Sequence, residues 1–508
     1  QDKGSYYKYL GYDKTKFTVN LPDGKSFSER QDIGDGYGGM LDYLSQFPHY
    51  AEFIPLLDNQ RSIDIINELK KKPITNEPGK IKMPTYKEIE QLSDKSNETE
   101  QPSSYEVTAN PAAVAKPVIK EQNFRYTENV YAAGAKAKYR DNIAAIKKLY
   151  EIEKEKRPAT PEEQVILSKY VGWGGLSKAF DSGAEDWKKE YYELKNLLDE
   201  KTYNSAILST RTAYYTDPDA IIRPIFSTLE RFGFNGGKIL DPAMGTGNFF
   251  SVLPDSMADN SQLTGVEIDE LTGRIAKKLY PNANVKITAF ERTSFDDESF
   301  DAVVGNVPFD NFTVYDKTYT DSYLLHDYFF IKSLDKLKAG GIAALITSSG
   351  TMDKISNSVR IDIAKRAELI GAVRLPITAF KAIAGTEVTT DVIFLKKRDI
   401  VLSENELLYN LPEWAHRPDN LYDENHNYIE SINRYYLSNP DMILGTMQRR
   451  SGRFGDSGVC VPKENQDLKS DLETALMRLN AQFSAAHTEA SAEDVEEADE
   501  EYGSERIE

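Results

Sequence analysis

One cysteine, Cys460, stands in 508 residues, so no internal disulfide can staple the chain. Five histidines are scattered without the spacing of metal ligands, and no metal site is expected. There is no unbroken apolar run of membrane-spanning length and no secretory leader pattern, so a soluble, cytoplasmic protein is expected, with no membrane partner. Positive charge is also in short supply: 62 Lys and Arg stand against 81 Asp and Glu, a formal charge of −19. Much of that deficit is local. Glu489 to Glu508 hold ten acids and one Arg, which leaves −10 for the rest, so any contact with nucleic acid has to come from local patches. The chain starts with Gln and stops inside the acidic run, which is read as a piece of a longer polypeptide.

What is present is length enough for two or three domains and one stretch around which the others can be arranged. Lys238-Ile-Leu-Asp-Pro-Ala-Met-Gly-Thr-Gly-Asn-Phe249 reads as a short buried strand ending in Asp241, then a tight turn in which Pro242 and Ala243 lead to Gly245 and Gly247. Asn248 to Leu253, including Phe249, read as a helix start whose free N–H groups face the same crevice. A second strand, Leu263 to Asp269, places Glu267 and Ile268 roughly twenty residues after the glycine turn, where a carboxylate can accept from both ribose hydroxyls. A third, Val285 to Glu291, ends in Phe290 and Glu291, suited to cover an adenine ring and accept from its amino group. The fourth runs from Phe300 into Asn306-Val307-Pro308-Phe309.

These motifs, in this order, resemble the S-adenosylmethionine-dependent DNA adenine-N6 methyltransferases in which the cofactor motif precedes the catalytic one. Upstream, Tyr215 and Thr216 in Ala213-Tyr-Tyr-Thr-Asp-Pro218 are similar to the aromatic-Thr-Pro segment that closes over the methionine part of the cofactor. Downstream, Ala339 to Ser349 and Gly371 to Lys397 match the remaining strands, so the resemblance covers about residues 205–400. It departs from the pattern at Val307, usually Pro, but only that residue's carbonyl enters the chemistry. The resemblance implies that Asn306 and the Val307 carbonyl accept the two N6 hydrogens. Pro308 would fix that backbone and Phe309 would stack on the extruded base.

From this follows an expected α/β architecture: a Rossmann-like, mainly parallel, seven-stranded methyltransferase sheet at 205–400. Around it are expected a small N-terminal α+β module at 1–75, a linker at 76–122, a helical lead-in at 123–204, a C-terminal extension at 401–485 and an acidic disordered tail at 486–508. In the module Lys16 to Leu21 alternate as a strand. Gly34, Gly36, Gly38 and Gly39 read as a loop, since no Lys-Ser/Thr follows. In the lead-in, Ile143, Ile146 and Leu149 share a helical face, and Thr160-Pro-Glu-Glu163 is a helix start. Tyr170-Val-Gly-Trp-Gly-Gly-Leu176 offers Trp173 either as a packing anchor against the catalytic domain or as part of an aromatic surface for DNA. The same segment resembles the lead-in of very large methyltransferase–helicase fusions of phages and conjugative elements, which implies a helicase region in the same longer polypeptide. His326 is read as structural or substrate-side. In 401–465, Arg434, Arg449, Arg450 and Arg453, interleaved with Tyr435 and Tyr436, suit either a DNA surface or a solvated face. The alternatives to DNA are RNA, a protein glutamine side chain, and a non-catalytic scaffold in an anti-restriction or conjugation assembly.

Overall fold

The computed structural model describes residues 121–127, 131–210, 215–310, 312–452 and 455–484, together with two strands near the N-terminus. The chain forms two compact units, 1–114 and 115–508. In the first, β1 (Lys16–Asn20) pairs antiparallel with β2 (Ser26–Arg30), Lys16 opposite Arg30, so the expected strand is present. The glycine loop at 34–39, the greater part of the 76–122 segment and the acidic tail lie outside the described residues.

The second unit is built on a seven-stranded sheet formed by β3 (Gly237–Asp241), β4 (Ser261–Glu267), β5 (Asn284–Ile287), β6 (Phe300–Asn306), β9 (Leu337–Ser348), β10 (Ala367–Leu375) and β11 (Thr390–Lys397). Their order across the sheet is β10-β11-β9-β6-β3-β4-β5. All the pairings from β9 through β6, β3 and β4 to β5 are parallel, and β11 runs antiparallel to both its neighbours. The runs Ala302–Val304 and Ile342–Ile346 are buried, as strands covered on both faces require. Between β3 and β6 the winding reverses, and in such sheets the crevice at the carboxyl ends of the two switch-point strands is where ligands bind. Asp241 ends one of these strands and Asn306 the other.

The lead-in is helical. In α1 (Ala135–Lys154) Ile143, Ile146 and Leu149 are buried, as their spacing predicts. At the start of α2 (Pro161–Ser168) Thr160 Oγ1 accepts from Glu163 N–H at 3.3 Å and Glu163 Oε2 accepts from Thr160 N–H at 3.0 Å, a reciprocal cap worth about 1 kcal/mol. Then come α3 (Lys188–Leu197) and α4 (Glu200–Ser209). Trp173 is 1% exposed and packs edge-on to Tyr170 and Phe180, so it serves as a packing anchor and not as a surface ring.

After Thr216 the chain opens as a wider turn, Pro218–Ile222, before α5 (Arg223–Arg231). Pro224 has no N–H to give, so the turn before it adjusts. A single helical turn, α6 (Asn248–Ser251), stands where Asn248–Leu253 was expected, because Pro254 follows and excludes helical geometry from the residue before it. Further on are α7 (Glu270–Leu279) and α8 (Leu325–Lys336). Between β6 and α8 the short strands β7 (Thr313–Val314) and β8 (Tyr323–Leu324) pair as a hairpin. The C-terminal part of the unit adds the hairpins β12 (Asp419–Tyr422) with β13 (Tyr428–Ile432) and β14 (Thr446–Gly452) with β15 (Gly455–Val461), then α9 (Leu468–Leu476). Among the described residues no helix is long and apolar enough to cross a membrane.

Candidate cofactor and base site

After β3 the chain turns through Pro242–Gly247 into α6. Gly247 takes φ 88° and ψ 37°, a left-handed conformation costly for a residue with a Cβ, and a Cβ there would lie 2.4 Å from Tyr280 Cε2. The Tyr280 hydroxyl donates to Gly247 O at 2.8 Å and closes the turn from beneath. From β4, Glu267 reaches across: Oε2 accepts from Gly245 N–H at 3.0 Å and Oε1 from Asp269 N–H at 2.7 Å. The acid of the second strand is therefore bolted to the glycine turn of the first.

Both acids are poorly solvated. Burial, with Asp269 adding its repulsion, pushes the Glu267 carboxyl up to about 7, and burial pushes Asp241 up to about 8. Asp241 Oδ1 accepts from Ala243 N–H at 3.1 Å, whereas the buried Oδ2 has no partner among the described residues. Two acids held this way favour a ligand that brings hydroxyl donors and positive charge.

Beside them opens a cavity of about 490 Å³. Of the residues singled out in the sequence, Tyr215, Thr216, Pro242, Ala243, Gly245, Asn248, Phe249, Glu267, Ile268, Phe290, Glu291, Asn306, Val307 and Pro308 line it. Asp241 and Gly247 shape it from behind, and Phe309, partly buried, is not among the lining residues. Thr216 ties the two motifs together. Its Oγ1 accepts from Asn306 Nδ2 at 3.1 Å and its carbonyl from Asn248 Nδ2 at 3.0 Å. Val307 is buried and still held to the sheet, its N–H donating to Ile346 O at 3.0 Å.

Phe290 and Glu291 do not end a strand as expected. β5 stops at Ile287, and they sit on a short 3-10 turn, Phe290–Arg292. The cause is Lys332 of α8, a buried lysine whose Nζ donates to Phe290 O at 2.8 Å and Thr293 O at 3.3 Å and draws the chain away from the sheet. The same ammonium donates to Asp316 Oδ2 at 3.2 Å, which also accepts from Tyr328 OH at 2.6 Å. Burial alone would raise the Asp316 carboxyl, but hydrogen bonds from Thr318, Tyr328 and Lys332 hold it well below the usual range. Asp316 thus anchors the β7–β8 hairpin. Next to that anchor, Phe312 and Tyr315 line the cavity while remaining 45% and 80% exposed.

Sequence reasoning missed these two rings, and it also missed Gly172, Ser209, Asp269 and Thr272 in the cavity wall. Asp269 could have been found as the second acid at the end of β4. The two-residue strands of the hairpin leave no period to detect. His326 lies on α8 outside the cavity, buried with Nε2 3.4 Å from Asp327, and burial lowers its pKa; this is a structural position.

The arginine cluster is less open than its composition implied. Arg434 pairs with Asp419 at 3.1 Å, and Arg449 donates to Ile429 O at 3.0 Å and lies over the Tyr428 ring. Arg450 is exposed on β14, and Arg453 lies outside the described residues. Tyr435 and Tyr436 are not surface rings. The Tyr435 hydroxyl accepts from Ala372 N–H at 3.1 Å, and Tyr436 is buried 4.4 Å from the Arg374 guanidinium, which Asp391 grips through two 2.9 Å hydrogen bonds. Among the described residues no cluster of three or more His, Cys, Asp or Glu could hold a metal ion.

The strand order, with an acid and a glycine turn at the switch point facing Asn306-Val-Pro-Phe, is the Rossmann-like arrangement of methyltransferase domains. Residues 191–441, just under half of the chain, match the family described as N-6 DNA Methylase. Residues 1–62 match a second model, Large polyvalent protein associated domain 25. Over 218 residues, 42% of the chain, the sequence is 33% identical to Defense against restriction protein B of Escherichia phage P1, and the match spans only 9% of that relative. Solved structures with a similar fold include the type I restriction enzyme EcoKI M protein, 18% identical with a TM-score of 0.31 over 51% of this chain and 61% of that one. Another is the type I restriction-modification methyltransferase subunit from Streptococcus thermophilus, 12% identical with a TM-score of 0.30 over 51% and 78%.

Proposed function

We propose that this chain transfers a methyl group from S-adenosylmethionine to the N6 amino group of an adenine swung out of DNA. One observation carries the reading: Asn306 ends a switch-point strand at the wall of the cavity that also presents Glu267, Phe290 and the glycine turn, and its amide is fixed by Thr216. Glu267 would hold the ribose hydroxyls, Phe290 and Ile268 the adenine, and Tyr215 and Thr216 the amino-acid end. When bound, the cofactor supplies an activated methyl on sulfur.

The chain's own residues then have a limited task. An exocyclic amine is a weak nucleophile because its lone pair is delocalised into the ring. The Asn306 side-chain oxygen and the Val307 carbonyl, each accepting one N6 hydrogen, would localise that pair, with Pro308 stiffening the backbone between them. Swinging the base out costs a few kcal/mol, and stacking on an aromatic ring returns about 1–3 kcal/mol. Phe309 is one such ring, and Phe312 and Tyr315 stand at the cavity mouth.

The name of the phage relative extends the proposal to protection of DNA against restriction. A helicase region in the same longer polypeptide would supply separated strands. The test offers labelled S-adenosylmethionine with unmethylated duplex DNA, RNA and a protein substrate. Label recovered as N6-methyladenine in DNA and lost in Asn306→Ala, with cofactor affinity kept, is the expected result. Label in RNA or glutamine, or undiminished transfer by Asn306→Ala, would overturn it.

A further inference from the structure

We infer that the helical lead-in completes the cofactor cavity, with the Val171-Gly172 peptide forming part of its wall and Asn142 of α1 acting as the positioning residue for that peptide. The inference rests on the reading that the cavity holds S-adenosylmethionine. It goes further in assigning a role to residues upstream of the segment that matches the methylase family.

Gly172 lines the cavity and takes φ 66°, a left-handed conformation that only glycine adopts at little cost. Something must hold the peptide there, and Asn142 does so from both sides. Its Oδ1 accepts from Val171 N–H at 2.9 Å and its Nδ2 donates to Gly172 O at 2.6 Å. A side-chain amide can accept and donate at once, which neither a carboxylate nor an ammonium of similar size can do. Asn142 is fully buried, so loss of the amide would leave two backbone groups without partners.

The scaffold behind this grip is rigid. Lys138, one turn earlier on α1, donates to the carbonyls of Ala382 and Ile383, the latter at 2.8 Å, and Glu153 near the helix end pairs with Arg274 of α7. A Cβ on Gly175 would lie 2.7 Å from Ala384 O, so the loop meets the catalytic unit backbone to backbone. The lead-in also reaches the acids of β4: Ser205 Oγ donates to Asp269 Oδ2 at 2.7 Å, and buried Tyr170 has its phenol pushed up by burial and by nearby Asp269 and Glu267. A chain of contacts therefore runs from α1 through the 170–176 loop to the acid that is proposed to hold the ribose.

The experiment uses the full chain, with S-adenosylmethionine and S-adenosylhomocysteine as probes. Asn142→Ala is expected to raise the Kd for S-adenosylmethionine about tenfold, the effect of losing a pair of buried hydrogen bonds. kcat at saturating cofactor should fall less than KM rises, whereas a purely structural role would lower the active fraction and leave Kd alone. In the unaltered chain, hydrogen exchange across 170–176 should slow on adding S-adenosylhomocysteine. Gly172→Ala, strained at its φ, serves as the second variant should Asn142→Ala fail to fold. An unchanged Kd in a folded variant, or no ligand-dependent protection of 170–176, would overturn the inference. If the unaltered chain binds cofactor but methylates no DNA, the functional proposal falls and this inference stands; if it binds no cofactor, both fall.

Discussion

If Glu267 holds the ribose hydroxyls as proposed, cofactor binding should depend on pH in a direction that can be worked out in advance. Its carboxyl lies at about 7 in place of the ordinary 4.5. At pH 6 about one site in ten is ionised and at pH 8 about nine in ten. If the ribose hydroxyls require the carboxylate, affinity should tighten about tenfold, roughly 1.4 kcal/mol, between those pH values, with close to one proton released per cofactor bound at pH 6. The effect on folding has the opposite sense. A raised folded-state value favours the protonated acid, so that stability is present in full below the ordinary carboxylate range and is lost as pH rises through 7. The upper bound is about 3 kcal/mol. Glu267→Gln should therefore melt higher than the unaltered chain at pH 8 without cofactor, bind cofactor weakly, and show a flat pH profile. Titration calorimetry in buffers of different ionisation enthalpy measures both Kd and proton count. A Kd constant from pH 6 to 8, with no proton released, would refute the argument.

Gly247→Ala should cost cofactor binding and lower the melting temperature, because the left-handed turn and the Tyr280 ring leave a Cβ no room; a variant that binds normally by calorimetry would count against the assigned turn. Arg374→Ala strips the buried Asp391 and Asp353 carboxylates of their cation, a loss of about 3–5 kcal/mol, and is expected to leave little soluble protein; a melting temperature within a few degrees of the original would contradict this. Tyr315→Ala should raise KM for DNA several-fold while leaving the Kd for cofactor unmoved, as judged by steady-state kinetics beside calorimetry, and a change confined to cofactor affinity would show that the ring faces the other ligand.

The parts of the site that could be read from sequence were those whose geometry restricts residue type locally. A left-handed turn needs glycine, so Gly247 announced itself. Strands buried on both faces need unbroken aliphatic runs, so β6 and β9 did as well. The spacing from the glycine turn to Glu267 follows from one strand-helix-strand crossover. What escaped was set by tertiary contact. Gly172 enters the cavity only because Asn142, thirty residues earlier, pins it there. Phe290 leaves the sheet because of Lys332, forty-two residues later. The aromatic-basic mixture around Tyr435 and Tyr436 reads as either a stacking surface or a solvated face, yet the same composition serves a ring packed on a buried guanidinium. Arg374 sits next to the end of an apolar strand, and nothing adjacent in sequence betrays its acidic partners.

In the proposed function, Lys332 would link the seats of two ligands. Its ammonium holds the carbonyl of Phe290 on the cofactor side and the carboxylate of Asp316, next to the exposed rings, on the other. If the ligand that settles first stiffens the seat of the second through this shared ammonium, donor and acceptor are expected to bind with positive cooperativity. By thermodynamic reciprocity, the factor by which cofactor tightens DNA must equal the factor by which DNA tightens cofactor.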